Sequence, residues 1–202
     1  MAYRRTPRVQ ARLDAQRAAL VRAAADLLAD GGYAGCSITA VAGRAGLAAG
    51  SVYTHFRSKA ELAAEVFREI VGREVAAVRA ASAAGSAAER LTAVIETFAG
   101  RALKAPRRAY ALLAEPVDPA VDALRLEFRN AYRDVLADAI GAGVASGELP
   151  PQNATVVAAA LVGAIGEALV GPLARGGPDP DTVPSVITFA VRAVGGADRG
   201  HA

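Results

Sequence analysis

The sequence predicts an all-α protein, and three observations support this fold class. Hydrophobic residues make up 53% of the 202 residues, which is enough to build a buried core. Ala, Val and Leu dominate that fraction, whereas aromatic residues reach only 5% and Trp is absent, a composition that favours close-packed helices over a β-sandwich. Apolar residues recur at helical spacing, and no segment shows the alternation of a strand. We therefore expect about nine helices.

The first three helices are predicted near the N-terminus. The first covers residues 14–30, where apolar residues share one face until Gly31-Gly32 supplies a left-handed residue that ends the helix. Ser37 can cap a short second helix, which Gly46 breaks. A third short helix is expected from about Ala49 to Phe56.

Capping and turn residues delimit the later helices. Ser58 and Glu61 match the capping box, in which each side chain bonds the other's backbone amide, and open a helix ending near residue 84. Asp118-Pro119 opens a long helix, with Asp as the cap and Pro in the first position, that closes near Gly147. The other helices, bounded by glycine and proline, are expected at about 87–103, after Pro106, at 155–174 and at 182–194.

Positive charge is concentrated in the N-terminal third of the chain. Residues 1–60 carry nine Arg and Lys against three acids, a net charge of +6, while the remainder carries 14 basic and 17 acidic residues, a net charge of −3. This asymmetry fits a protein that meets a polyanion at one end, or a solvated basic N-terminal arm.

The composition excludes several classes of site. Cys36 is the only cysteine and His55 and His201 are the only histidines, which rules out an intramolecular disulfide and leaves no Cys/His metal site. Cys36 is interpreted as a small packing residue, with a redox switch as the alternative. No metal or cofactor is expected, and the basic N-terminus lacks the apolar segment of a secretory signal. A reducing cytoplasm fits these features.

Residues 155–174 are almost long enough and apolar enough to span a membrane. They are nevertheless rich in Ala and Gly, and Glu167 would lie inside the hydrocarbon at a cost of about 2.5–3.5 kcal/mol. We therefore expect a helix buried at a protein interface and no membrane association.

Residues 38–56 meet the geometric demands of a helix-turn-helix, in which two short helices cross steeply around a tight turn that often contains Gly. The apolar residues that can pack on the first helix are Ile38, Val41, Ala42, Leu47, Val52 and Phe56. Phe56 is interpreted as core, and Tyr53 either as core or as a packed ring with its hydroxyl outward. The polar side chains left outward are those of Thr39, Arg44, Ser51, Tyr53, Thr54 and His55.

Residues 45–62 carry the run AGLAAGSVYTHFRSKAEL. This run resembles the signature of the TetR family of regulators, through the joint spacing of Gly46, Gly50, Tyr53, Phe56, Lys59 and Leu62. The resemblance implies a DNA-binding helix-turn-helix domain over residues 1–60. It also implies a body, residues 61–202, that is a helical ligand-binding and dimerisation domain.

The family's DNA contacts transfer onto matching positions of this chain. They are Ser37, Thr39, Arg44, Ala48, Ala49, Gly50, Ser51, Tyr53, Thr54, His55 and Lys59. Ala48-Ala49 departs from the family pattern, because it removes a helix cap worth about 1 kcal/mol. Alanine methyls can still pack on thymine methyls. We therefore expect few direct hydrogen bonds to bases, with Arg44 and Ser51 as the leading readers.

A two-fold operator requires a two-fold protein, so we expect a homodimer on double-stranded DNA. The last two helices are the candidate interface, with an intramolecular core as the alternative. The residues assigned to it are Val156, Ala159, Gly163, Val170, Val183, Ile187, Ala190 and Val194.

The middle helices hold most of the body's aromatic residues and are the candidate effector site, with a solid core as the alternative. The candidate lining residues are Phe98, Tyr110, Leu113, Leu124, Phe128, Tyr132 and Glu167. Glu167 lies among apolar neighbours and needs an arginine, water or a ligand. Arg107-Arg108 fits a solvated pair or a site that attracts an anion.

The resemblance implies a repressor that a small apolar ligand releases from a palindromic operator by a population shift. An enzyme is excluded because no catalytic constellation or phosphate-binding loop is present. A helical scaffold or protein-interaction module without DNA affinity is the alternative function.

Overall fold

The computed structural model describes residues 6–177 and 180–195, and these residues form nine α-helices and no strand. The all-α prediction is confirmed. The first five residues of the basic N-terminal arm lie outside the described part of the chain. The helices are α1 (Pro7–Gly35), α2 (Ile38–Arg44), α3 (Ala49–Val52), α4 (Lys59–Ala81), α5 (Ala87–Lys104), α6 (Pro106–Leu113), α7 (Pro119–Ser146), α8 (Ala154–Arg175) and α9 (Thr182–Ala193).

Helix α1 begins seven residues before the predicted start. Thr6 caps it by accepting a hydrogen bond from the Val9 amide at 3.4 Å, and Pro7 occupies the first helical position. The early turns are largely exposed, so they lack the apolar periodicity on which the prediction depended. The predicted break is confirmed at Gly32, whose φ of 69° suits glycine.

Helices α2 and α3 form the predicted helix-turn-helix. The Ser37 side chain caps α2 by accepting a hydrogen bond from the Ala40 amide at 3.2 Å, and Gly46 makes the turn with a φ of 68°. Helix α3 has only four residues and no side-chain cap at Ala48, as the Ala48-Ala49 departure predicted. It ends before Phe56 because the Thr54 and His55 amides bond carbonyls three residues back, in tighter turns.

The capping box predicted at the start of α4 is only half formed. Ser58 accepts a hydrogen bond from the Glu61 amide at 3.1 Å, but the Glu61 carboxylate accepts one from the Arg57 amide at 2.6 Å instead of returning to Ser58. A complete capping box opens α5 instead, between Ser86 and Glu89. The prediction of the α4 start was therefore correct in position and wrong in one of its two hydrogen bonds.

Helix α7 has Pro119 in its first position and ends at Gly147, which has a φ of 79°, both as predicted. Its predicted side-chain cap is wrong, because Asp118 makes no capping hydrogen bond and instead accepts one from the Tyr33 hydroxyl. A contact between residues 85 positions apart has therefore replaced a local one.

Two apolar cores hold the helices together. The first core packs α1, α2, α3 and the first half of α4, and it extends into the body through Ala111, Val121 and Leu124. The second core packs the end of α4 against α5 to α9. Cys36 is buried in the first core, where burial raises the pKa of its thiol, in agreement with a packing role.

Candidate DNA-binding surface and effector cavity

The helix-turn-helix is anchored by side chains that are completely inaccessible to solvent. Val41 and Val52 are 0% exposed and Phe56 is 1% exposed, all within the first core. Ile38 and Leu47 pack against the same core, as predicted. These contacts fix the orientation of α2 and α3 on α1, so the polar side chains on the opposite faces of both helices are turned toward solvent.

The residues predicted to contact DNA, which we call the candidate DNA-contact set, are accessible. The exposed members are Ser37, Thr39, Arg44, Ala48, Ala49, Gly50, Tyr53 and Thr54, and the half-buried members are Ser51, His55 and Lys59. Tyr53 is 59% exposed, which favours the outward role over core packing. No member of the set is buried.

Two cations of this region already have partners. Arg44 forms an ion pair with Asp30 at 3.1 Å, and Arg57 pairs with Glu61. Exposed pairs of this kind contribute only about 0–1 kcal/mol. The Arg44 guanidinium can therefore exchange Asp30 for a phosphate or a base edge at little cost.

Arg17 ties α1 to α4 beneath the helix-turn-helix. Its guanidinium pairs with Glu65 at 2.9 Å and lies over the Phe56 ring, 4.9 Å from the ring centroid. The hydrogen bond between the two raises the pKa of Arg17 and lowers that of Glu65. Arg17 therefore orients the start of α4.

The C-terminal end of α1 meets the loop after α6 in a cluster of polar contacts. Glu115 accepts hydrogen bonds from the Tyr33 amide at 2.7 Å and from the Ala34 amide at 3.2 Å, while the Tyr33 hydroxyl donates to Asp118. A Cβ at Gly32 would lie 2.7 Å from a Glu115 carboxylate oxygen, so this approach requires glycine. The end of α1 is thus bonded directly to the body.

Lys59 joins α4 to the same cluster. Its ammonium donates to the Tyr33 carbonyl at 3.1 Å and lies 3.9 Å from the centroid of the Tyr33 ring. A phosphate contact was predicted for Lys59. In the structure the Lys59 ammonium contacts Tyr33, and the phosphate contact stays a prediction. Burial, followed by the bond to Asp118, raises the pKa of the Tyr33 hydroxyl.

Arg125 closes the cluster from the body side. Its guanidinium donates to the carbonyls of Ala111 at 2.9 Å and Leu112 at 3.0 Å, and also to the Glu115 carbonyl. These are carbonyls at the C-terminal end of α6, where a cation is favourable. We call the group of Tyr33, Lys59, Glu115, Asp118 and Arg125 the junction.

A cavity of about 870 Å³ lies between α4, α5, α6, α7 and α8. Of the predicted effector residues, those that line it are Phe98, Leu113, Phe128, Tyr132 and Glu167. Tyr110 and Leu124 do not: Tyr110 packs against the second core, and Leu124 is buried in the first core. Leu124 lies one helical turn before Phe128 and shares the first core with residues of the helix-turn-helix.

An aromatic pair forms part of the cavity wall. Phe98 and Tyr132 meet edge to face with their ring centroids 5.1 Å apart. Burial raises the pKa of Tyr132, and the charge of Glu74 raises it further. The Tyr132 hydroxyl is therefore protonated at neutral pH and available as a hydrogen-bond donor.

Arginines are the lining residues that the sequence prediction missed, apart from the possibility left open for Arg108. The arginines of the lining are Arg101, Arg108, Arg125, Arg129 and Arg133. Three of them, at positions 125, 129 and 133, are spaced four residues apart and share one face of α7. That spacing interleaves with Phe128 and Tyr132 and was a signal available in the sequence.

The candidate dimer residues divide between the last two helices. On α8, Val156, Ala159 and Gly163 are exposed and Val170 is half-buried, so this face is available to a second copy. Ala159, Gly163 and Val170 also line the cavity. Helix α8 is the one described helix long and apolar enough to span a membrane, and only 28% of its most apolar window is buried.

The stripe assigned to α9 packs largely within the chain. Ala190 and Val194 are 0% and 1% exposed inside the second core, while Val183 and Ile187 pack against that core and are half-buried. This packing favours the intramolecular alternative for Ala190 and Val194, and a partner contact at Val183 and Ile187 stays a prediction. The outer face of α9 carries Ser185 and Phe189, and Phe189 is 53% exposed.

Comparison with known families gives two consecutive matches. Residues 20–66 match the bacterial regulatory proteins of the tetR family, and residues 84–168 match the tetracyclin repressor-like C-terminal domain. Together the two matches cover more than half of the chain. No protein of curated function matches this sequence.

Solved structures share the whole arrangement of helices. The transcriptional regulator FadR from Bacillus subtilis, in complex with stearoyl-CoA, superimposes with a TM-score of 0.74 at 20% identity, covering 89% of this chain and 98% of that one. A TetR-family transcriptional regulator from Rhodococcus sp. gives 0.73 at 21% identity, with the same coverage. The fatty acid degradation regulator FadR from Bacillus halodurans gives 0.71 at 18% identity, again with 89% and 98% covered.

Proposed function

The chain belongs to the TetR family of bacterial regulatory proteins, and on this premise we propose that it is a homodimeric repressor. The repressor binds a palindromic operator and dissociates from it when a small-molecule effector binds. Family and fold are those of DNA-binding transcription regulators with a ligand-binding domain, and not those of enzymes. The proposal concerns the direction of regulation, the symmetry of the operator and the residues that act.

The observation that carries the proposal is the polarity of the helix-turn-helix. Val52 and Phe56 are wholly buried, while the candidate DNA-contact set next to them is exposed or half-buried. Ser37 and Thr54 offer hydroxyls for phosphate oxygens, which set the register of the protein on DNA. Arg44 and Ser51 supply the base-edge contacts, and the Ala48 and Ala49 methyls fit thymine.

Dimerisation is assigned to the exposed face of α8 together with the outer face of α9. Val156 is 62% exposed and Phe189 is 53% exposed, and the exposed Ala159 and Gly163 lie beside Val156 on α8, so the two helices offer apolar surface to a partner. A second copy on these faces places the two helix-turn-helix domains on two half-sites. The same contact shields α8 from solvent, so neither a membrane nor a location outside the cytoplasm is needed to explain its apolar surface.

The coupling between effector and DNA runs through the junction. Arg125 lines the cavity and also holds the C-terminal end of α6, while Glu115 and Asp118 after α6 bind the end of α1. A ligand that displaces α6 relative to α7 shifts this set of bonds and, through Tyr33 and Lys59, the start of α4. A structure of this fold that binds stearoyl-CoA supports a ligand in this domain.

DNA binding is tested by selecting bound fragments from the source genome and then measuring fluorescence anisotropy of the selected duplex over a salt series. We expect a palindromic site and an affinity that falls linearly in log salt, because phosphate contacts release counterions. Absence of duplex binding at low salt would favour the alternative, a helical scaffold without DNA affinity.

The dimer is tested by native mass spectrometry of the full chain. We expect Val156→Glu to convert the dimer to a monomer, because it buries a charge against the partner helix. The control is Val9→Glu, since Val9 is a similarly exposed valine, at 48%, on α1. A dimer that survives Val156→Glu would place the interface elsewhere.

A further inference from the structure

Resting on the proposed effector site, we propose that the effector is an anionic amphiphile. Its apolar part fills the cavity between α4 and α8, and its anionic group is held by Arg108 of α6 and Arg129 of α7. This differs from the purely apolar ligand expected from the sequence. Charge and apolar surface in the lining carry the argument.

The apolar part of the site is a deep, preformed wall. Five of the lining residues are no more than 5% exposed, namely Ile70, Val94, Ile95, Leu136 and Ile165, and the Phe98–Tyr132 pair adds aromatic surface. Ligand sites usually measure about 300–1,000 Å³, so a cavity of about 870 Å³ accommodates a long chain or a fused ring. The site therefore favours a ligand with a large apolar part.

Three of the five lining arginines are already committed to protein partners. Arg101 pairs with Glu74, Arg125 with Asp122 and the end of α6, and Arg133 with Asp134. These guanidinium groups have their charge balanced within the described residues. They form part of the cavity wall and do not need a counterion from a ligand.

Arg108 and Arg129 differ from the other three, because neither guanidinium has a hydrogen bond or ion pair with any of the described residues. Both line the cavity, where Arg108 is half-buried and Arg129 is exposed. A guanidinium on the cavity wall without a counterion among the described residues is available to pair with an incoming anion. A guanidinium also binds carboxylate and phosphate through two parallel hydrogen bonds.

Glu167 is the feature that would favour the opposite charge. It lines the cavity and has no partner in the described part of the chain, but it is exposed on α8 and is a single acid facing two uncommitted arginines. It also lies on the helix assigned to the dimer interface. The charge balance of the lining therefore favours an anion over a cation.

The position of the two arginines links the anion to the junction. Arg129 lies one helical turn from Arg125 on α7, and Arg108 lies on α6, whose C-terminal end Arg125 holds. An anion bound to both arginines bridges α6 and α7. The bound anion therefore acts on the distance between α6 and α7, which the Arg125 hydrogen bonds otherwise determine. We expect the ligand to alter DNA affinity as well as to bind.

The test uses isothermal titration calorimetry of the full chain with five probes: dodecanoate, dodecanoyl-CoA, dodecanol, dodecyltrimethylammonium and CoA alone. We expect at least one of the two anionic amphiphiles to bind tenfold or more tightly than dodecanol, and the preference to shrink at high salt. The comparison of dodecanoate with dodecanoyl-CoA distinguishes a carboxylate from a phosphate-bearing head group. Equal or tighter binding of dodecanol or of the ammonium probe would overturn the proposal.

The double variant Arg108→Gln/Arg129→Gln tests the assigned residues. We expect it to lose tenfold or more in affinity for the preferred anion while its affinity for dodecanol changes less than twofold. Arg107→Gln is the matched control, because Arg107 is an exposed arginine on the same helix that does not line the cavity. Equal losses in the two proteins would overturn the assignment.

Operator affinity without ligand and a thermal melt are measured for each protein. Intact operator binding with no preference for anions would contradict this inference and leave the regulator proposal standing. Failure of the native chain to bind an operator would contradict the proposed function itself. A double variant that melts like the native chain ensures that weaker binding reflects lost charge.

Discussion

The aromatic residues of the two cores differ in whether they are packed on all sides or face a cavity. In the first core, Phe56 and Phe67 are 1% and 0% exposed, and neither of them lines the cavity. In the second core, Phe98 and Tyr132 face a cavity of about 870 Å³. A domain that holds DNA-contacting side chains at fixed positions needs a solidly packed core. A domain that responds to a ligand keeps a cavity that close packing would otherwise fill.

The two cores meet through polar contacts as well as apolar ones. Glu115 and Asp118 bind Tyr33 across the boundary, and Arg125 holds the loop that carries both acids. Hydrogen bonds and packed side chains at such a boundary have discrete arrangements, so together they can transmit a change from one core to the other. The boundary is thus suited to switching.

The largest expected effect comes from removing an aromatic ring from each core. Phe56→Ala should cost about 3–5 kcal/mol, because it leaves a cavity in packed surroundings. Phe98→Ala should cost clearly less, since one side of its ring already faces empty space. Urea unfolding of both variants measures the difference, and equal costs would mean that the second core is as solidly packed as the first.

The next largest effect concerns DNA affinity. Arg44→Ala should weaken operator binding by about 1–3 kcal/mol and reduce the salt slope by about one. Arg79→Ala is the control, because Arg79 is exposed at the far end of α4. Anisotropy titrations that give the same loss for both variants would show that Arg44 acts only through overall charge.

A smaller effect is expected at the junction. Tyr33→Phe removes one hydrogen bond, to Asp118, and should cost about 1 kcal/mol. It should also weaken the effect of a bound ligand on operator affinity. Tyr53→Phe, an exposed tyrosine in the same domain, is the control for stability. If the ligand response survives Tyr33→Phe unchanged, the coupling follows another route.

The same tyrosine predicts a dependence on alkaline pH. Its pKa is raised in the folded protein, so its stabilising effect is fully present below about pH 10, the usual tyrosine value, and is lost as the pH rises toward the folded pKa. Stability of the native chain should therefore fall more steeply above pH 10 than that of Tyr33→Phe. Urea midpoints at several alkaline pH values measure this, and parallel curves would contradict it.

The smallest expected effect is a gain. Ala48→Ser supplies the side-chain cap that α3 lacks and should stabilise the helix-turn-helix by about 0.5–1 kcal/mol. Ala49→Ser, one residue inside the helix, is the control and should give no such gain. Thermal melts compare the two, and identical melting temperatures would mean that tertiary contacts already hold the start of α3.

Much of the helix-turn-helix domain followed from the sequence because its signals act over a few residues. Ser37, Gly46 and Ser58 each shape the backbone within one turn, and all three lie where the sequence placed them. The apolar spacing that buried Val52 and Phe56 likewise left the neighbouring polar residues outward. Their assignment as DNA contacts came from the family resemblance and stays a prediction.

The tertiary structure decided which faces of the body helices are covered. The α9 stripe ending at Ala190 and Val194 was periodic enough for either a partner or an internal core, and only the tertiary structure shows both residues buried in the second core. Asp118 was a plausible cap by its position, but Tyr33 took its carboxylate from 85 residues away. Local sequence determines where a helix begins, ends and is apolar, whereas the neighbour that each face meets depends on the arrangement of helices distant in the chain.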